Sequence, residues 1–428
     1  MSQLNIQPPV EIIKATVTLP LSKSIANRML IIGYITGNED LVKFPDCADS
    51  ITMRALLQKL RSKSYFGQYQ NNSHVDIQDN IYNTGDAGTV FRFLSALLSI
   101  TPGTALLTGS DRMLERPCGP LIDSLIELGA HCSYTDKHGY PPVLIEGKRL
   151  KGGTVAIDAS VSSQFVSALM MIAPLMSDGL LINFKGFAVS QPYIHLTADL
   201  MRKNGIKVTV GVSSVIVNPG DYTFKEGIHE ADWSAASYWY TMAALLKRES
   251  TKESPIILNG LKFESMQGDR LVAKIYEQLG IESKWCNGDL HLNNTGNVAK
   301  HIDIDLNGQP DLAPALAVAC AGLQVSATIR GLETLVIKES NRLESIKSEL
   351  KKLGYICQIE ANNALRIIVG RTEQTSNVIE TYNDHRIAMA MAMLCLTNGP
   401  LLINNPEVVR KSYPEFWTDL TSTGFIID

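Results

Sequence analysis

Four segments of this chain share one local pattern: an apolar helical stretch closing on Leu or a near equivalent, a glycine, then a short alternating or apolar run. They read LIELGAHCSY, LMRKNGIKVTV, YEQLGIESKW and LKKLGYICQI, and their glycines, Gly129, Gly205, Gly280 and Gly354, lie 76, 75 and 74 residues apart. A glycine just past a helix supplies the left-handed residue that ends it, and the chain then leaves as a strand. The pattern predicts a repeated helix–turn–strand module. Weaker copies end near Arg61 and at Gly424, 68 and 70 residues from their neighbours. Units this long exceed solenoid repeats, so six of them predict supersecondary modules grouped three to a domain in an α/β chain. Helix–Gly–strand junctions are also common in α/β proteins at large, and spacing alone leaves that reading open.

The bulk properties fit two domains. A chain of 428 residues exceeds what one hydrophobic core usually organises, and 45% hydrophobic with 19% charged residues predicts a globular rather than a disordered chain. The boundary is expected near IHEADWSAASYW, where Glu230 and Asp232 precede a new helix, with the N-terminal segment crossing back. The expected domains are 21–229, and 1–20 plus 230–428. A net charge of -4 argues against wholesale nucleic-acid binding, which needs a basic excess against phosphates. Seven scattered cysteines with no C-x-x-C pair read as reduced thiols of a cytoplasmic protein. The N-terminus lacks the pattern of an export signal, and no apolar run of about 18 residues predicts a membrane span.

The chemistry concentrates at helix starts. Cations there carry the wrong sign for the positive end of a helix dipole unless an anion is expected. In LPLSKSIANRML, Lys23 and Ser24 fall in a first turn, with Arg28 four residues past Ser24 on the same face, a set suited to phosphate or carboxylate. NTGDAGTVFRF repeats the logic: Gly85 and Gly88 permit close backbone approach, Thr89 is a candidate cap, and Arg92 follows in the opening turns. The segment matches neither a P-loop nor a dinucleotide fingerprint. Arg116 precedes Pro117 at an element edge. Ser162, Ser163 and Gln164 open an apolar helix, and Ser190 and Tyr193 sit in a similar position, all neutral groups suited to a polyol. Lys338, Glu339 and Arg342 share nearly one helical face by spacing. His385 and Arg386 begin another apolar helix with Asp384 or Asn383 as cap, and Arg410 and Lys411 precede Pro414. Asp311, heading a nearly uncharged helix, is either a cap or a positioned base. Taken singly, each segment reads equally as a solvated basic end, a cap or an intrahelical ion pair. No histidine or cysteine spacing fits a metal.

Nine segments taken together, LPLSKSIANR, AGTVFR, ERPCGPL, SVSSQF, VSQPYI, PDLAPALA, KESNRL, NDHRIAM and KSYPEF, resemble the EPSP synthase family in order and spacing across nearly the whole chain. The resemblance implies two domains of three βαβαββ units each, with parallel helices buried at the centre, sheets outside, and a basic cleft between the domains. It implies transfer of the enolpyruvyl group of phosphoenolpyruvate to the 5-hydroxyl of shikimate 3-phosphate through a tetrahedral adduct, with no cofactor or metal, by a cytoplasmic monomer whose partners are these small molecules. Carried over motif by motif, Lys23, Ser24, Arg28, Ser162, Ser163, Gln164, Ser190, Tyr193, Asp311, Thr334 and Lys338 are expected at shikimate 3-phosphate. Lys23, Gly88, Arg116, Gln164, Arg342, Arg386 and Lys411 are expected at phosphoenolpyruvate. Asp311 is the expected hydroxyl base and Glu339 the acid for the donor's methylene, with Lys23 and His385 assisting.

Two positions depart from the family pattern. Asp86 stands where the family often has Asn, and Thr334 stands where many members have Asn four residues before the motif Lys. Two alternatives accompany this reading. One is the related UDP-N-acetylglucosamine enolpyruvyl transferase, which usually uses a loop cysteine and draws notice to Cys118. The other is an RNA 3'-phosphate cyclase-like or plain anion-binding protein.

Overall fold

The computed structural model describes residues 2–10, 15–65, 77–246 and 256–428. One layout recurs through it. Strands Ile81–Asn83 and Gly103–Thr108 pair in parallel, and the antiparallel strands His131–Tyr134 and Val143–Gly147 complete a four-stranded sheet in the order first, second, fourth, third. Helices Gly88–Ile100 and Gly119–Glu127 lie on the connections, which makes the unit βαβαββ. The same order is repeated by Gly153–Asp158, Leu180–Lys185, Val208–Val210 and Ser214–Val217, and again by His301–Asp305, Ser326–Arg330, Tyr355–Ile359 and Leu365–Arg371.

Two further sheets keep the order by borrowing a strand from the N-terminus. Ala15–Thr18 is the first strand beside Ile256–Asn259, in a sheet with Leu279–Cys286 and Asp289–Val298. Gln3–Gln7 is the fourth strand between Leu401–Asn404 and Ile426–Ile427, in a sheet headed by Val378–Ile379. Of the first repeat, helices Lys23–Thr36 and Ala48–Tyr65 are described. Arg61 lies inside the second of these, so the weak copy expected to end there runs on as helix, and its continuation lies outside the described residues.

Burial follows composition. Ala313–Gly322, APALAVACAG, is apolar all round, and Trp233–Leu245 buries every residue, as expected of helices enclosed on all sides. The strands alternate instead: Val155 and Ile157, or Val215 and Val217, point inward from half-exposed sheets. Helices thus form the interior of the repeats and sheets cover them.

The glycine reading holds in four places and changes in one. Gly129, Gly205, Gly354 and Gly424 follow helices with φ of 93°, 90°, 84° and 98°. Gly280, with φ 81°, lies instead inside the strand Leu279–Cys286, where the register shifts between Leu279 and Ile281. Its helix, Leu271–Glu277, stops early, so its left-handed residue makes a bulge rather than a cap.

The chain divides into two compact units, residues 1–22 with 230–428, and residues 23–229. The two passages of chain at this division are tied together: Leu21 bridges Ala231, Ser22 N donates to Glu230 O at 2.8 Å, and Asp232 N to Pro20 O at 2.9 Å. Among the described residues no helix is long and apolar enough to cross a membrane.

Candidate active site

In the unit 23–229, four helices begin with Lys23, Gly88, Ser163 and Gln191, and none has an acid in its first turn. Their exposed amides and dipoles therefore present positive potential with no internal carboxylate to offset it. Lys23 Nζ is held 2.8 Å from Asp49 Oδ2, both largely buried. Arg28 is not a solvated helix end: it is 2% exposed, donating to Thr197 Oγ1 at 2.7 Å, Ser24 O at 2.8 Å and Ser167 Oγ at 3.2 Å, with its guanidinium 5.2 Å from the Phe93 ring. Burial pushes it down to about 10, an environment poorer in negative charge than an arginine favours.

The helix Gly88–Ile100 is capped by backbone alone at Ala87. Thr89, expected as its cap, sits within the helix and accepts a hydrogen bond from Gln164 Nε2 at 3.0 Å. Gln164 Oε1 in turn takes one from Arg92 Nη1 at 2.8 Å. Gly88 lets two guanidinium groups approach the backbone: a Cβ there would stand 2.8 Å from Arg116 Nη2 and also meet Arg92, so a larger residue shifts both. Arg116 is buried and donates to the Asp86 carbonyl at 3.1 Å. The Asp86 carboxylate accepts from Ser110 Oγ, so it is engaged by a hydroxyl as well as standing near these cations. Ser162 accepts from Gln164 N at 3.2 Å as the cap of Ser163–Ile172. Ser190 precedes its helix in the left-handed region at φ 52° without capping it, and the Tyr193 carbonyl receives Thr197 Oγ1 at 2.7 Å. A serine held at positive φ stores backbone strain of the kind that accompanies a positioned side chain.

In the other unit the cations are matched by acids. Arg342, 1% exposed, is the hub: Nε donates to Asp384 Oδ2 at 2.8 Å, Nη1 to Asp311 Oδ1 at 2.9 Å and Nη2 to Glu339 Oε2 at 2.7 Å. Arg386 Nη2 reaches Asp311 Oδ2 at 3.0 Å, and Lys338 Nζ lies 3.6 Å from Asp311 Oδ1. Burial pushes the Asp311 carboxyl up, but Arg386, Lys338 and Arg342 outweigh it and hold the group well below the ordinary carboxylate range. Asp311 is thus a positioned charge and not a helix cap. Lys338 and Glu339 do not share a helical face with Arg342. They precede the helix, which starts at Arg342, because the chain is still leaving the 3-10 turn Glu333–Ile337.

Asp384 caps His385–Ala392 by accepting from Arg386 N at 3.0 Å. It is fully buried and also receives Arg342 and Ser340 Oγ. His385 is buried beside it, Nδ1 4.0 Å from Asp384 Oδ1. Before this cap Tyr382 and Asn383 both take positive φ, 52° and 55°, and the resulting turn presents Asn383 O to Lys411 Nζ at 2.8 Å. Arg410 turns the other way, into a surface pair with Glu407. Thr334 is buried, and its Oγ1 has no hydrogen-bond partner among the described residues.

The structure joins Asp311, Lys338, Glu339, Arg342 and Arg386 into one charged constellation, and in the unit 23–229 it joins Arg28 with Ser24, and Gln164 with Arg92 and Thr89. It adds Asp49 as the group that holds Lys23, and shows Arg92 bonded to Gln164, Asp384 to Arg342 and Asn383 to Lys411. Cys118 caps Gly119–Glu127 from a fully buried position, where burial pushes its thiol up to about 12, against the charge of Arg92. Such a thiol is not poised to react. Among the described residues no cluster of His, Cys, Asp and Glu could hold a metal ion.

The family model for EPSP synthase (3-phosphoshikimate 1-carboxyvinyltransferase) matches residues 8–420. The 3-phosphoshikimate 1-carboxyvinyltransferase of Bacteroides fragilis (strain YCH46) is 40% identical over 416 residues, 96% of this chain and 96% of its own length. That of Shewanella piezotolerans is 34% identical over 436 residues, covering 99% of each chain. The solved EPSP synthase of Acinetobacter baumannii aligns over 100% of this chain and 99% of its own, with a TM-score of 0.72 at 22% identity, a likeness of fold.

Proposed function

The chain belongs to the EPSP synthase family, and we propose on that footing how its residues divide the family's chemistry. The reaction is transfer of the enolpyruvyl group of phosphoenolpyruvate to shikimate 3-phosphate in the shikimate pathway. Shikimate 3-phosphate is assigned Lys23, Ser24, Arg28, Ser162, Ser163, Gln164, Ser190, Tyr193, Asp311, Thr334 and Lys338. The helix starts without acids support a phosphate subsite, and the Thr334 hydroxyl, with no partner among the described residues, supports a contact with a substrate ring hydroxyl in place of the family's longer Asn. Phosphoenolpyruvate takes Lys23, Gly88, Arg116 and Gln164, together with Arg342, Arg386 and Lys411, whose planar or point charges suit carboxylate and phosphate.

The observation that carries this reading is the set of cations at the two acids: Arg342, Arg386 and Lys338 around Asp311, and Arg342 on Glu339. Without substrate, Asp311 is too well stabilised as an anion to take a proton readily. A donor carboxylate competing for Arg342 and Arg386 loosens that hold, so Asp311 becomes a better base when the donor is bound. Asp311 then removes the proton from the 5-hydroxyl as its oxygen attacks C2 of phosphoenolpyruvate, while Glu339 delivers a proton to C3. The tetrahedral adduct collapses when Glu339 takes a proton back from the methyl group and the C2–O bond to phosphate breaks, the proton held by Asp311 leaving with the phosphate. Lys23 and His385 steady the departing phosphate. This reading uses no metal or organic cofactor and takes the chain as a monomer, and the seven free cysteines suit a reducing compartment such as the cytoplasm.

Phosphate release from phosphoenolpyruvate, measured with shikimate 3-phosphate and separately with UDP-N-acetylglucosamine, tests the assignment. Release only with the first is expected. Release only with the sugar nucleotide would overturn it, although the buried Cys118 already lacks the character of that enzyme's loop cysteine. RNA binding without phosphate release would move the chain to the anion-binding class.

A further inference from the structure

Within the unit formed by residues 1–22 and 230–428, one buried amide makes every hydrogen bond open to it. Gln267 Oε1 accepts from Ser22 Oγ at 2.8 Å and from Trp233 N at 3.3 Å. Its Nε2 donates to Ala231 O at 2.7 Å and to the Glu230 carboxylate. The amide has two donor hydrogens and two acceptor sites, and all four are used. Ser22 lies on the first passage of chain at the division between units, and Glu230, Ala231 and Trp233 lie on the second. Ser265 reinforces the arrangement, its hydroxyl donating to Glu230 and accepting from Gln267 N at 3.0 Å. Gln267, Glu230 and Ser22 are each at most 5% exposed, so water does not compete for these bonds.

Besides this amide, the two passages are joined by the Leu21–Ala231 bridge and by the backbone bonds Ser22 N to Glu230 O and Asp232 N to Pro20 O, so Gln267 supplies the side-chain tie on Ser22. The residue that follows Ser22 is Lys23, the side chain assigned above to both substrates. We propose that Gln267 is a positioning residue of the transfer reaction: by fixing Ser22 to the second passage it sets the start of the helix Lys23–Thr36 and hence the aim of Lys23. The inference rests on the reading of Lys23 as a substrate ligand. Gln267 touches no substrate in this account and acts only through the chain it holds.

The variants are Gln267→Met, which keeps length and removes all four bonds, and Lys23→Met, made alone and together in the full chain. In Gln267→Met, kcat/KM for both substrates is expected to fall about ten- to a hundredfold while the thermal melt stays cooperative, since a misplacement of about 1 Å costs rates of that size. In the Lys23→Met background Gln267→Met should cause no further loss, because there is no longer a lysine to misplace. A parental rate in Gln267→Met, or the same loss in both backgrounds, overturns the inference. If Gln267→Met does not fold, Ser22→Ala, which removes one arm alone, decides by the same comparison. Parental turnover in Lys23→Met by itself would defeat the underlying reading of Lys23, a result distinct from a failure at Gln267.

Discussion

Asp311 and Asp269 are two buried carboxylates shifted in opposite directions, and the difference is testable. Asp311, surrounded by Arg386, Lys338 and Arg342, has its folded proton affinity lowered. It therefore stabilises the fold at pH above about 4, its ordinary value, and that contribution is lost as pH falls. Asp269, 2% exposed and bonded by Ser234 Oγ, is raised to about 6 by burial and by the charge of Asp311. Its folded affinity exceeds the unfolded one, so it favours folding at low pH and that contribution disappears as pH rises through 6. Asp269→Asn should thus melt progressively higher than the parent between about pH 4 and pH 6, with the gap levelling off above. A gap that is flat across this range would refute the shift. If Asp311 is the base proposed above, Asp311→Asn should lower kcat by about two to four orders of magnitude, with cooperative melting kept, because Arg342 retains Asp384 and Glu339. Gly88→Ala should raise KM for phosphoenolpyruvate severalfold, since the new methyl displaces Arg116 and Arg92, and an unchanged KM would remove Gly88 from the donor site. Asp49 carries no local signal, because Lys23 meets it only through folding, and Asn383 was visible only as a candidate cap, its carbonyl contact with Lys411 likewise needing the fold.

At the scale of elements, the glycine after each helix is what the pattern could see, and its cost of replacement depends on surroundings. Gly129 has φ 93° with nothing within 4 Å of an added Cβ, so Gly129→Ala should cost about 1 kcal/mol from backbone strain alone. Gly354, φ 84°, would place its Cβ 2.6 Å from the Thr372 carbonyl, and Gly354→Ala should cost clearly more in a urea titration. Equal losses would mean that the neighbouring backbone yields. Gly280 shows the limit of the pattern: the same letters produce a bulge, because pairing with Asp289–Val298 captures Leu279 before the turn is complete. Likewise the i+3 and i+4 spacing from Lys338 to Arg342 imitates a helix that begins only at Arg342, and the ion pair between Glu339 and Arg342 spans its edge.

For the whole molecule, the cysteine pattern makes a direct statement. All seven are free, with Cys286 exposed, Cys132 partly so and five buried, so a thiol reagent should modify one site quickly, a second slowly, and all seven after denaturation. Modification of five or more in the native protein would contradict the packing. A reductant should leave the melt unchanged. The repeat spacing determined an α/β chain of helix–turn–strand modules, and the order of the nine motifs determined the family, whose resemblance carried the βαβαββ unit, because caps, periodicity and side-chain chemistry act over a few neighbouring positions. Folding alone decided that Gln3–Gln7 fills a sheet between Leu401–Asn404 and Ile426–Ile427, that Asp311 meets Arg342 and Arg386, and that Gln267 grips Ser22. Each of these joins residues from 31 to several hundred positions apart, and a contact at that separation depends on how buried surfaces and hydrogen bonds are satisfied together, which no local pattern records.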